Sequence, residues 1–331
     1  MIKRNKYKIL TTGPICEIAK GMIKDKAELI FSPPYASSEE IAELVKKQQT
    51  EGLIVRMGKI TREVLAASSQ LRVVIKHGTG FNNIDIAAAT ELGLPVLITP
   101  NSNFEAVAEH TVSLIYGLAK KLTFLDYELR VNHNWYKTKT DYQTKELHHK
   151  CLGIIGFGRI GSRVIQLVTP LEMKILVYDP YVSEKDLPDG TILVKSFKEF
   201  LQKADIVTIH CPLTKDTYHL LGKEELLYMK PNAYLINTAR GGVIDERALL
   251  NILKKGLIAG AALDTFEKEP PSFNSDIFKL NNVITTAHIA GNTKESFIRM
   301  GVTVAETIFN FLEKKENKID KSMFVNNAVK K

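Results

Sequence analysis

The stretch that most limits how this chain can fold is CLGIIGFGRIG at 151–161. An apolar run, Leu152 to Ile155, passes into three glycines spaced G-x-G-x-x-G and then into a helical pattern. Where a strand turns directly into a helix, the first glycine allows the tight turn and the second lets another group approach the backbone. The third lets the helix and the strand pack closely. Amides at the start of the helix then attract an anion. The stretch predicts a dinucleotide-binding turn at Gly156, Gly158 and Gly161.

The next apolar run, KILVYDP at 174–180, ends on an acidic residue, Asp179, which lies 18 residues beyond the third glycine. A carboxylate at this distance accepts hydrogen bonds from ribose hydroxyls and repels a 2′-phosphate. The neighbours Pro180 and Tyr181 offer a phosphate no cation, so the predicted cofactor is NAD rather than NADP. Arg159, which lies in the glycine turn itself, is predicted to cover the pyrophosphate.

Apolar runs alternate with helical patterns along the rest of the chain. Strands are predicted at 7–12, 53–58, 71–78 and 94–100, and, after the strand that opens 151–161, at 174–180, 204–212, 233–239, 260–266 and 283–291. This alternation is typical of parallel sheets covered by helices, so we predict an α/β protein with two doubly wound parallel-sheet domains. A Rossmann NAD domain, 103–292, is inserted into a flavodoxin-like substrate-binding domain made of 1–102 and 293–331.

Three segments have a clear helical pattern. The first, at 37–49, has Ser37 or Ser38 as its cap and acidic residues in its first turn. Apolar residues nearly encircle the second, at 104–122, which predicts a helix buried between domains or subunits. The third is the closing helix at 294–315, and a polar loop that carries aromatic residues is predicted at 132–150.

Composition narrows the class of protein. The 331 residues are 44% hydrophobic and 25% charged, as expected for two globular domains. The net charge is +8, but apart from the tail at 313–331 the lysines are dispersed, so an anionic small substrate is favoured over nucleic acid. No apolar run approaches about 18 residues, so neither a membrane span nor a signal peptide is predicted. The three scattered cysteines are typical of the reducing cytoplasm.

Three ionisable side chains come at or just beyond the carboxyl ends of the later strands, Arg240, Glu269 and His288. In an open parallel sheet that edge is where ligands bind. A planar guanidinium suits a substrate carboxylate, and an imidazole suits proton transfer near neutral pH. A carboxylate orients the imidazole and stabilises its protonated form. Beside a dinucleotide turn, these residues predict hydride transfer between NAD and a 2-keto or 2-hydroxy acid.

The same edge also carries an alternative acid. His210 ends a strand as well and is the main alternative to His288, and the loop that it opens is predicted to flank the cofactor through His210, Cys211, Pro212 and Thr217. Gly241 and Gly242, in NTARGG at 237–242, are interpreted as leaving room for cofactor and substrate. The remaining histidines show no metal-ligand spacing, so no metal site is predicted.

Together these segments resemble the D-isomer-specific 2-hydroxyacid dehydrogenases over nearly the whole chain. The resemblance rests on GIIGFGRIGSRV, VYDPY, ADIVTIHCPLTKDTYHLLG, LINTARGGVIDERAL, AALDTFEKEP, TAHIAGNT, HGTGFNNIDI and ITPNSNFEAVAEHT. It implies a catalytic arginine, glutamate and histidine at Arg240, Glu269 and His288. It implies a homodimer built largely around the helix at 104–122, and domain closure over the substrate. It implies cofactor contacts at Arg159, Ile160, Asp179, Thr238, Ala239, Asp264 and 288–291 (with Ala290 and Gly291), and carboxylate-binding amides near Thr79 and Gly80.

The chain departs from the family pattern at three positions outside the catalytic residues. Asn101 and His149 stand where glycine is usual. Ala287 stands where a proline commonly precedes the catalytic histidine. Asparagine tolerates the left-handed backbone conformation better than most residues, which makes the first of these changes easy to accommodate.

The identity of the acid is left open. LIVRMGKIT at 53–61 resembles the segment in which phosphoglycerate dehydrogenase-like members present an arginine to a substrate phosphate. Arg56 fits this role or that of an ion-pair partner at a strand end, and Lys59 is a substitute for a second arginine. The chain ends soon after the closing helix, so no C-terminal regulatory domain is expected. The candidates are 3-phosphoglycerate/phosphohydroxypyruvate, glyoxylate, hydroxypyruvate and D-lactate. The alternative from a different functional class is a binding protein rather than an enzyme, similar to the NAD-sensing corepressors.

Overall fold

A computed structural model describes residues 6–136 and 142–326. Residues 1–5, 137–141 and 327–331 lie outside the described part, and with them part of the predicted loop at 132–150 and both ends of the predicted substrate-binding domain. The chain forms two compact units. The outer unit is Met1–Asn103 with Asn292–Lys331, and the inner unit is Phe104–Gly291. These boundaries lie next to those predicted from the sequence.

Strands and helices alternate along both units. The strands are β1 (Tyr7–Thr11), β2 (Ala27–Phe31), β3 (Gly52–Val55), β4 (Val73–Lys76), β5 (Val96–Leu97), β6 (Cys151–Ile155), β7 (Lys174–Tyr178), β8 (Thr191–Leu193), β9 (Ile206–Ile209), β10 (Tyr234–Asn237), β11 (Gly260–Leu263) and β12 (Val283–Thr285). The helices are α1 (Glu17–Lys24), α2 (Ser38–Gln48), α3 (Arg62–Ala66), α4 (Ile86–Glu91), α5 (Phe104–Ala119), α6 (Leu122–Arg130), α7 (Arg159–Val168), α8 (Phe197–Lys203), α9 (Lys223–Tyr228), α10 (Glu246–Lys254) and α11 (Lys294–Leu312). In the described ranges, no helix is both long and apolar enough to cross a membrane.

The outer unit contains a five-stranded parallel sheet in the order β2-β1-β3-β4-β5. This is the flavodoxin-like order, as predicted. The closing helix α11 packs against α1 and β4, so the two ends of the chain build one core. Strand β2 was not predicted. It lies at the edge of the sheet, where Glu28 and Phe31 are exposed, so its sequence has no continuous apolar run of the kind that a buried strand shows.

The inner unit contains a seven-stranded parallel sheet in the order β12-β11-β10-β9-β6-β7-β8. The strand order reverses between β6 and β9, and ligands of such sheets bind outside the carboxyl ends of the strands at that point. Buried apolar clusters cover both faces, one around Phe200 and the other around Ile154. The predicted six strands miss β8, a three-residue edge strand whose residues are half-buried or exposed.

The segment predicted as one helix at 104–122 forms two helices. α5 ends at Ala119, Lys121 takes the left-handed conformation with φ 50°, and α6 begins at Leu122. α5 packs on α7 and on β10, β11 and β12. α5 is therefore buried, as predicted, and the helices and strands that pack on it belong to its own unit. Its position between domains or subunits stays a prediction.

The start of α2 agrees with the predicted serine cap. The Ser37 hydroxyl accepts a hydrogen bond from the Glu40 amide at 3.2 Å, and the Glu40 carboxylate accepts one from the Ser37 amide at 2.8 Å. This reciprocal pair is a capping box, which satisfies two backbone donors at the helix start. The cap is therefore Ser37 rather than Ser38.

Candidate active site

The glycine turn joins β6 to α7 where the strand order reverses. Gly156 has a φ of 93°, and a Cβ there would lie 2.8 Å from the amide nitrogen of Cys211. A Cβ on Gly161 would lie 2.3 Å from the carbonyl oxygen of Gly156. By contrast, nothing lies within 4 Å of the Cβ position of Gly158, which is exposed. Two glycines are thus required by packing, and the third leaves the first amides of α7 open to a pyrophosphate.

Asp179 links this turn to the end of β7. Its carboxylate accepts hydrogen bonds from the amides of Phe157 at 2.8 Å and Tyr181 at 2.9 Å, and the side chain is half-buried. Arg159 is exposed in the first turn of α7, and Ile160 beside it is half-buried. The hydrogen bond from the Phe157 amide thus joins Asp179 to the glycine turn. The residues predicted for the pyrophosphate and for the ribose are therefore neighbours, which fits a dinucleotide.

Arg240 leaves the carboxyl end of β10 through a braced turn. The side chain of Asn237 spans that turn, because its Oδ1 accepts from the Ala239 amide at 3.0 Å and its Nδ2 donates to the Arg240 carbonyl oxygen at 2.9 Å. Burial lowers the pKa of Arg240, while the Glu269 carboxylate raises it. A guanidinium remains charged under such shifts, so the turn holds a half-buried cation at the sheet edge. Sequence reasoning did not assign Asn237 a role.

Glu269 and His288 form a hydrogen-bonded pair at the same edge. Nδ1 of His288 lies 2.7 Å from Oε2 of Glu269, and Oε1 of Glu269 accepts a hydrogen bond from the Phe266 amide at 3.1 Å. Partial burial raises the pKa of Glu269, but the hydrogen bond and charge of His288, the Phe266 amide and the Arg240 charge together lower it. The carboxylate is therefore ionised opposite the imidazole, whose other ring nitrogen, Nε2, is left for a substrate.

Asp264, which is fully buried after β11, holds the turn that carries His288. Its carboxylate accepts hydrogen bonds from the amides of Ile289 and Ala290, each at 2.9 Å, and from the Thr286 hydroxyl at 2.6 Å. Its carbonyl oxygen accepts from the His288 amide at 2.7 Å. The contacts of Asp264 thus position the histidine, and its predicted contact with the cofactor, like those of Ala290 and Gly291, stays a prediction.

Two neighbouring residues of α5 reach the same edge. Nε2 of His110 lies 3.1 Å from Oγ1 of Thr286 and 3.8 Å from the Asp264 carboxylate. The hydroxyl of Thr111 lies 2.9 Å from that of Thr238, a predicted cofactor residue that is buried. Sequence reasoning missed both, because only the packing of α5 on β10, β11 and β12 brings them to these loops.

His210 lies at the end of β9 in a different environment. Its Nε2 lies 3.0 Å from the Thr208 hydroxyl, and its Nδ1 has no hydrogen-bond partner within the described ranges. Burial lowers the pKa of His210 to about 3 and raises that of the Cys211 thiol to about 11. The Thr217 hydroxyl donates to the Pro212 carbonyl oxygen at 2.6 Å, which closes the loop on itself.

The interpretation of Gly241 and Gly242 as open space for ligands is wrong. Both are buried, and a Cβ on Gly241 would lie 1.9 Å from the carbonyl carbon of Phe266. A Cβ on Gly242 would lie 3.2 Å from Cδ2 of Leu213. Gly241 is needed because the segment that leads to Glu269 packs directly on the backbone beside it.

The predicted substrate residues lie in the outer unit, after β3 and β4. Nη1 of Arg56 donates to the Pro14 carbonyl oxygen at 2.7 Å, and its guanidinium carbon lies 4.6 Å from the centroid of the Phe297 ring. Burial lowers the pKa of Arg56. Thr79 and Gly80 are half-buried, and within the described part of the chain their amides make no hydrogen bond. Those two amides suit an anionic oxygen.

Sequence reasoning did not single out two other residues of this edge. Nζ of Lys76 donates to the Arg56 carbonyl oxygen and to Oδ1 of Asn83, each at 3.0 Å. His77 is buried, neither of its ring nitrogens has a hydrogen-bond partner in the ranges described, and burial lowers its pKa to about 4. Lys59, the substitute for a second arginine, is exposed.

The glycine turn and the group of Arg240, Glu269 and His288 define a dinucleotide-binding α/β protein with an acid–base site at the sheet edge. Residues 112–290 match the model of the D-isomer specific 2-hydroxyacid dehydrogenase, NAD binding domain. The chain belongs to the D-isomer specific 2-hydroxyacid dehydrogenase family. This confirms the resemblance drawn from the sequence motifs, the fold class and the NAD cofactor.

Three comparisons show how far the likeness extends. The chain is 37% identical to D-3-phosphoglycerate dehydrogenase of Archaeoglobus fulgidus over 304 residues, which are 92% of this chain and 57% of that protein. It is 34% identical to hydroxypyruvate reductase of Thermotoga maritima, over 93% of this chain and 99% of that protein. The structure of D-lactate dehydrogenase from Aquifex aeolicus, complexed with NAD and lactic acid, matches with a TM-score of 0.85 and 29% identity, over 98% of this chain and 99% of that one. The chain thus spans only about half the length of the phosphoglycerate dehydrogenases it matches.

Proposed function

We propose that this protein is an NAD-dependent D-2-hydroxyacid dehydrogenase that transfers hydride reversibly between NAD(H) and a small 2-hydroxy or 2-keto acid. The observation that carries the proposal is the 2.7 Å contact between Nδ1 of His288 and Oε2 of Glu269, at the sheet edge that also bears Arg240. Membership of the family and the NAD-binding domain support it.

The three residues have distinct tasks in this reaction. When bound, NAD(H) supplies or accepts the hydride. The fork of Arg240 holds the substrate carboxylate and polarises the neighbouring carbonyl group. In the reductive direction Nε2 of His288 gives its proton to the keto oxygen, and in the oxidative direction it takes that proton back. Glu269 holds Nδ1–H and stabilises the imidazolium, and its lowered pKa keeps it ionised for this role.

The first choice of substrate is the pair 3-phosphoglycerate and phosphohydroxypyruvate. Two observations support it: relatives that carry the name D-3-phosphoglycerate dehydrogenase match 91% and 92% of this chain, and Arg56 offers a half-buried cation after β3. Hydroxypyruvate, glyoxylate and D-lactate are the alternatives, which the names of other relatives and of a similar structure support. The unpaired amides of Thr79 and Gly80 would bind the carboxylate that all these acids share.

A substrate panel tests the function. NADH oxidation is measured with phosphohydroxypyruvate, hydroxypyruvate, glyoxylate and pyruvate, and phosphohydroxypyruvate should have the highest kcat/KM. Arg56→Ala should lower kcat/KM for that acid about tenfold or more and change the value for hydroxypyruvate much less, because only the former carries a phosphate. Lys59→Ala is the matched control. Tight NADH binding with no turnover of any acid in the panel would contradict the proposal.

The choice of NAD over NADP is tested with the same assay. Asp179→Ala should raise the ratio of NADPH to NADH turnover, because the carboxylate that repels a 2′-phosphate is gone. Asp186→Asn is a control at an exposed acid of the same unit. An unchanged ratio in the Asp179 variant would mean that the ribose site lies elsewhere.

We also propose that the enzyme is a cytoplasmic homodimer. α5 is covered by its own unit, so the contact surface is assigned to α6 and the residues after it rather than to the whole of 104–122. Large apolar side chains are exposed there, namely Leu122, Tyr127, Leu129, Val131 and Trp135. Free cysteines support the reducing compartment. Light scattering should give the mass of two chains for the wild type and of one for Leu129→Glu.

A further inference from the structure

A group of metal-ligating side chains lies away from the active site, at His148, His149 and Glu172. Each offers one ligand atom, and these atoms all lie within 4.8 Å of one another. Nε2 of His148 lies 3.0 Å from Oε2 of Glu172, and the two imidazole rings have centroids 3.7 Å apart. All three residues are exposed, so an ion can reach them from solvent.

The register of the inner sheet brings these residues together. In the parallel pair of β6 and β7, Cys151 lies opposite Lys174, and the Lys174 amide donates to the Lys150 carbonyl oxygen at 2.9 Å. His149 lies two residues before Cys151, and Glu172 lies two residues before Lys174. If the parallel pairing of β6 and β7 is continued two residues toward the N-terminus, His149 and Glu172 lie side by side. They lie at the amino ends of the strands, opposite the edge that bears Arg240, Glu269 and His288. The group therefore does not belong to the catalytic site.

The backbone holds two of the three residues in an unusual conformation. His149 has a φ of 57° and Glu172 a φ of 53°, in the left-handed region that favours glycine. A residue with a Cβ is strained in this backbone conformation, where glycine is not. The presence of histidine and glutamate there therefore points to a role for their side chains.

The chemistry of the group suits one class of ion. Two imidazoles and one carboxylate are ligands that Zn²⁺ and similar divalent transition metals accept. Around a tetrahedral zinc, neighbouring nitrogen and oxygen ligands lie roughly 3.4 Å apart, as follows from the usual bond lengths. The ligand atoms of His148 and Glu172 lie 3.0 Å apart and all three lie within 4.8 Å of one another, so rotation of these exposed side chains can bring the three atoms around one ion.

We propose that His148, His149 and Glu172 bind a divalent transition metal ion of the zinc class, with the fourth position open to water. The ion would tie the segment that precedes β6 to the turn that precedes β7, and so stabilise the amino edge of the NAD-binding unit. The site is not catalytic. The sequence did not predict it because the third ligand comes from a segment that only the sheet register brings near.

Calorimetric titration with Zn²⁺ tests the proposal on the full chain, without a histidine tag and after treatment with EDTA. The wild type should bind one Zn²⁺ per chain. His149→Gly, His148→Ala and Glu172→Gln should each weaken binding at least tenfold, because each removes one of three protein ligands. His149→Gly relieves the left-handed backbone, so the loss cannot be assigned to misfolding. Zn²⁺ should raise the unfolding midpoint of the wild type and not that of His149→Gly.

Two controls separate this site from others in the chain. His133 is an exposed histidine with a φ of 56°, and His133→Ala should bind zinc like the wild type. His288→Asn should do the same, because the pair of His288 and Glu269 offers only one imidazole and one carboxylate. Unchanged affinity in His149→Gly and Glu172→Gln, or loss of binding in His288→Asn instead, would overturn the proposal.

Discussion

The loops after β9 and β12 each begin near a histidine at the same edge of the inner sheet, yet the two histidines have opposite environments. His288 is exposed and pairs with Glu269 at 2.7 Å. His210 is half-buried, has a hydroxyl as its neighbour, and its pKa falls to about 3 because of burial. A general acid must gain and lose a proton near neutral pH, which the first environment permits and the second opposes. Position in the sheet thus selects candidates, and the surroundings of the side chain decide between them.

The largest expected effect comes from the same substitution at both histidines. His288→Asn should lower kcat about a thousandfold, the size typical of a lost proton donor. Asparagine tolerates the left-handed backbone at this position, so the turn should stay intact. His210→Asn should lower kcat less than about tenfold, since its ring is neutral at working pH. Steady-state NADH oxidation and NADH binding are measured for both variants. Equal losses of kcat would contradict the different roles assigned to the two histidines.

The next effect concerns Arg240. Arg240→Lys keeps the charge but loses the two-pronged contact with a carboxylate, so kcat/KM should fall about a hundredfold. NADH affinity, measured by fluorescence titration, should change little. Arg247→Lys, at an exposed arginine of the same unit, is the control. A fall in NADH affinity as large as the fall in kcat/KM would mean that Arg240 binds the cofactor instead.

A smaller effect is expected from Glu269→Gln. The amide oxygen can still accept from the Phe266 amide, but the negative charge opposite the imidazolium is lost. We expect kcat to fall about thirtyfold, and the decline of the reductive rate with rising pH should begin at a lower pH. The pKa of the Glu269 carboxylate is lowered, so this carboxylate stays ionised across the neutral range. Glu267→Gln, at an exposed neighbour, should leave the pH profile where it is.

The smallest effect is on stability rather than turnover. His210 has a pKa of about 3 in the folded chain and an ordinary value of 6.5 when unfolded, so below pH 6.5 the unfolded chain takes up the proton first. The free energy of unfolding should therefore fall by about 1 kcal/mol from this residue between pH 6.5 and 5.5. His77, with a pKa of about 4, contributes in the same direction. The free energy of unfolding of His210→Asn, measured with urea, should fall less steeply than that of the wild type as the pH is lowered. The same slope in both proteins would contradict a pKa of about 3 for His210 in the folded chain.

Much of this site could be predicted because buried parallel strands read as apolar runs, and the residue after each run lies at the ligand edge. Gly156, Asp179 and the three catalytic candidates follow from that rule. β2 and β8 were missed because edge strands are half exposed and lack a continuous run. The role of His110 depends on how α5 packs, which no local pattern encodes.

Gly241 shows a different limit of sequence reasoning. A glycine beside a catalytic arginine indicates that something approaches closely, but not what approaches. The sequence favoured a ligand, and the structure shows the backbone of Phe266 instead. At Gly158 the same residue type borders open space, because nothing lies within 4 Å of the Cβ position.

The central claim, that His288 and not His210 is the proton donor, is tested most directly by single-turnover hydride transfer followed from pH 5 to 9. Enzyme saturated with NADH is mixed with the acid that is best in the panel, for the wild type and both histidine variants. The wild type and His210→Asn should slow together as the pH rises, and His288→Asn should be slow with no such dependence. A pH dependence kept in His288→Asn, or lost in His210→Asn, would contradict the assignment.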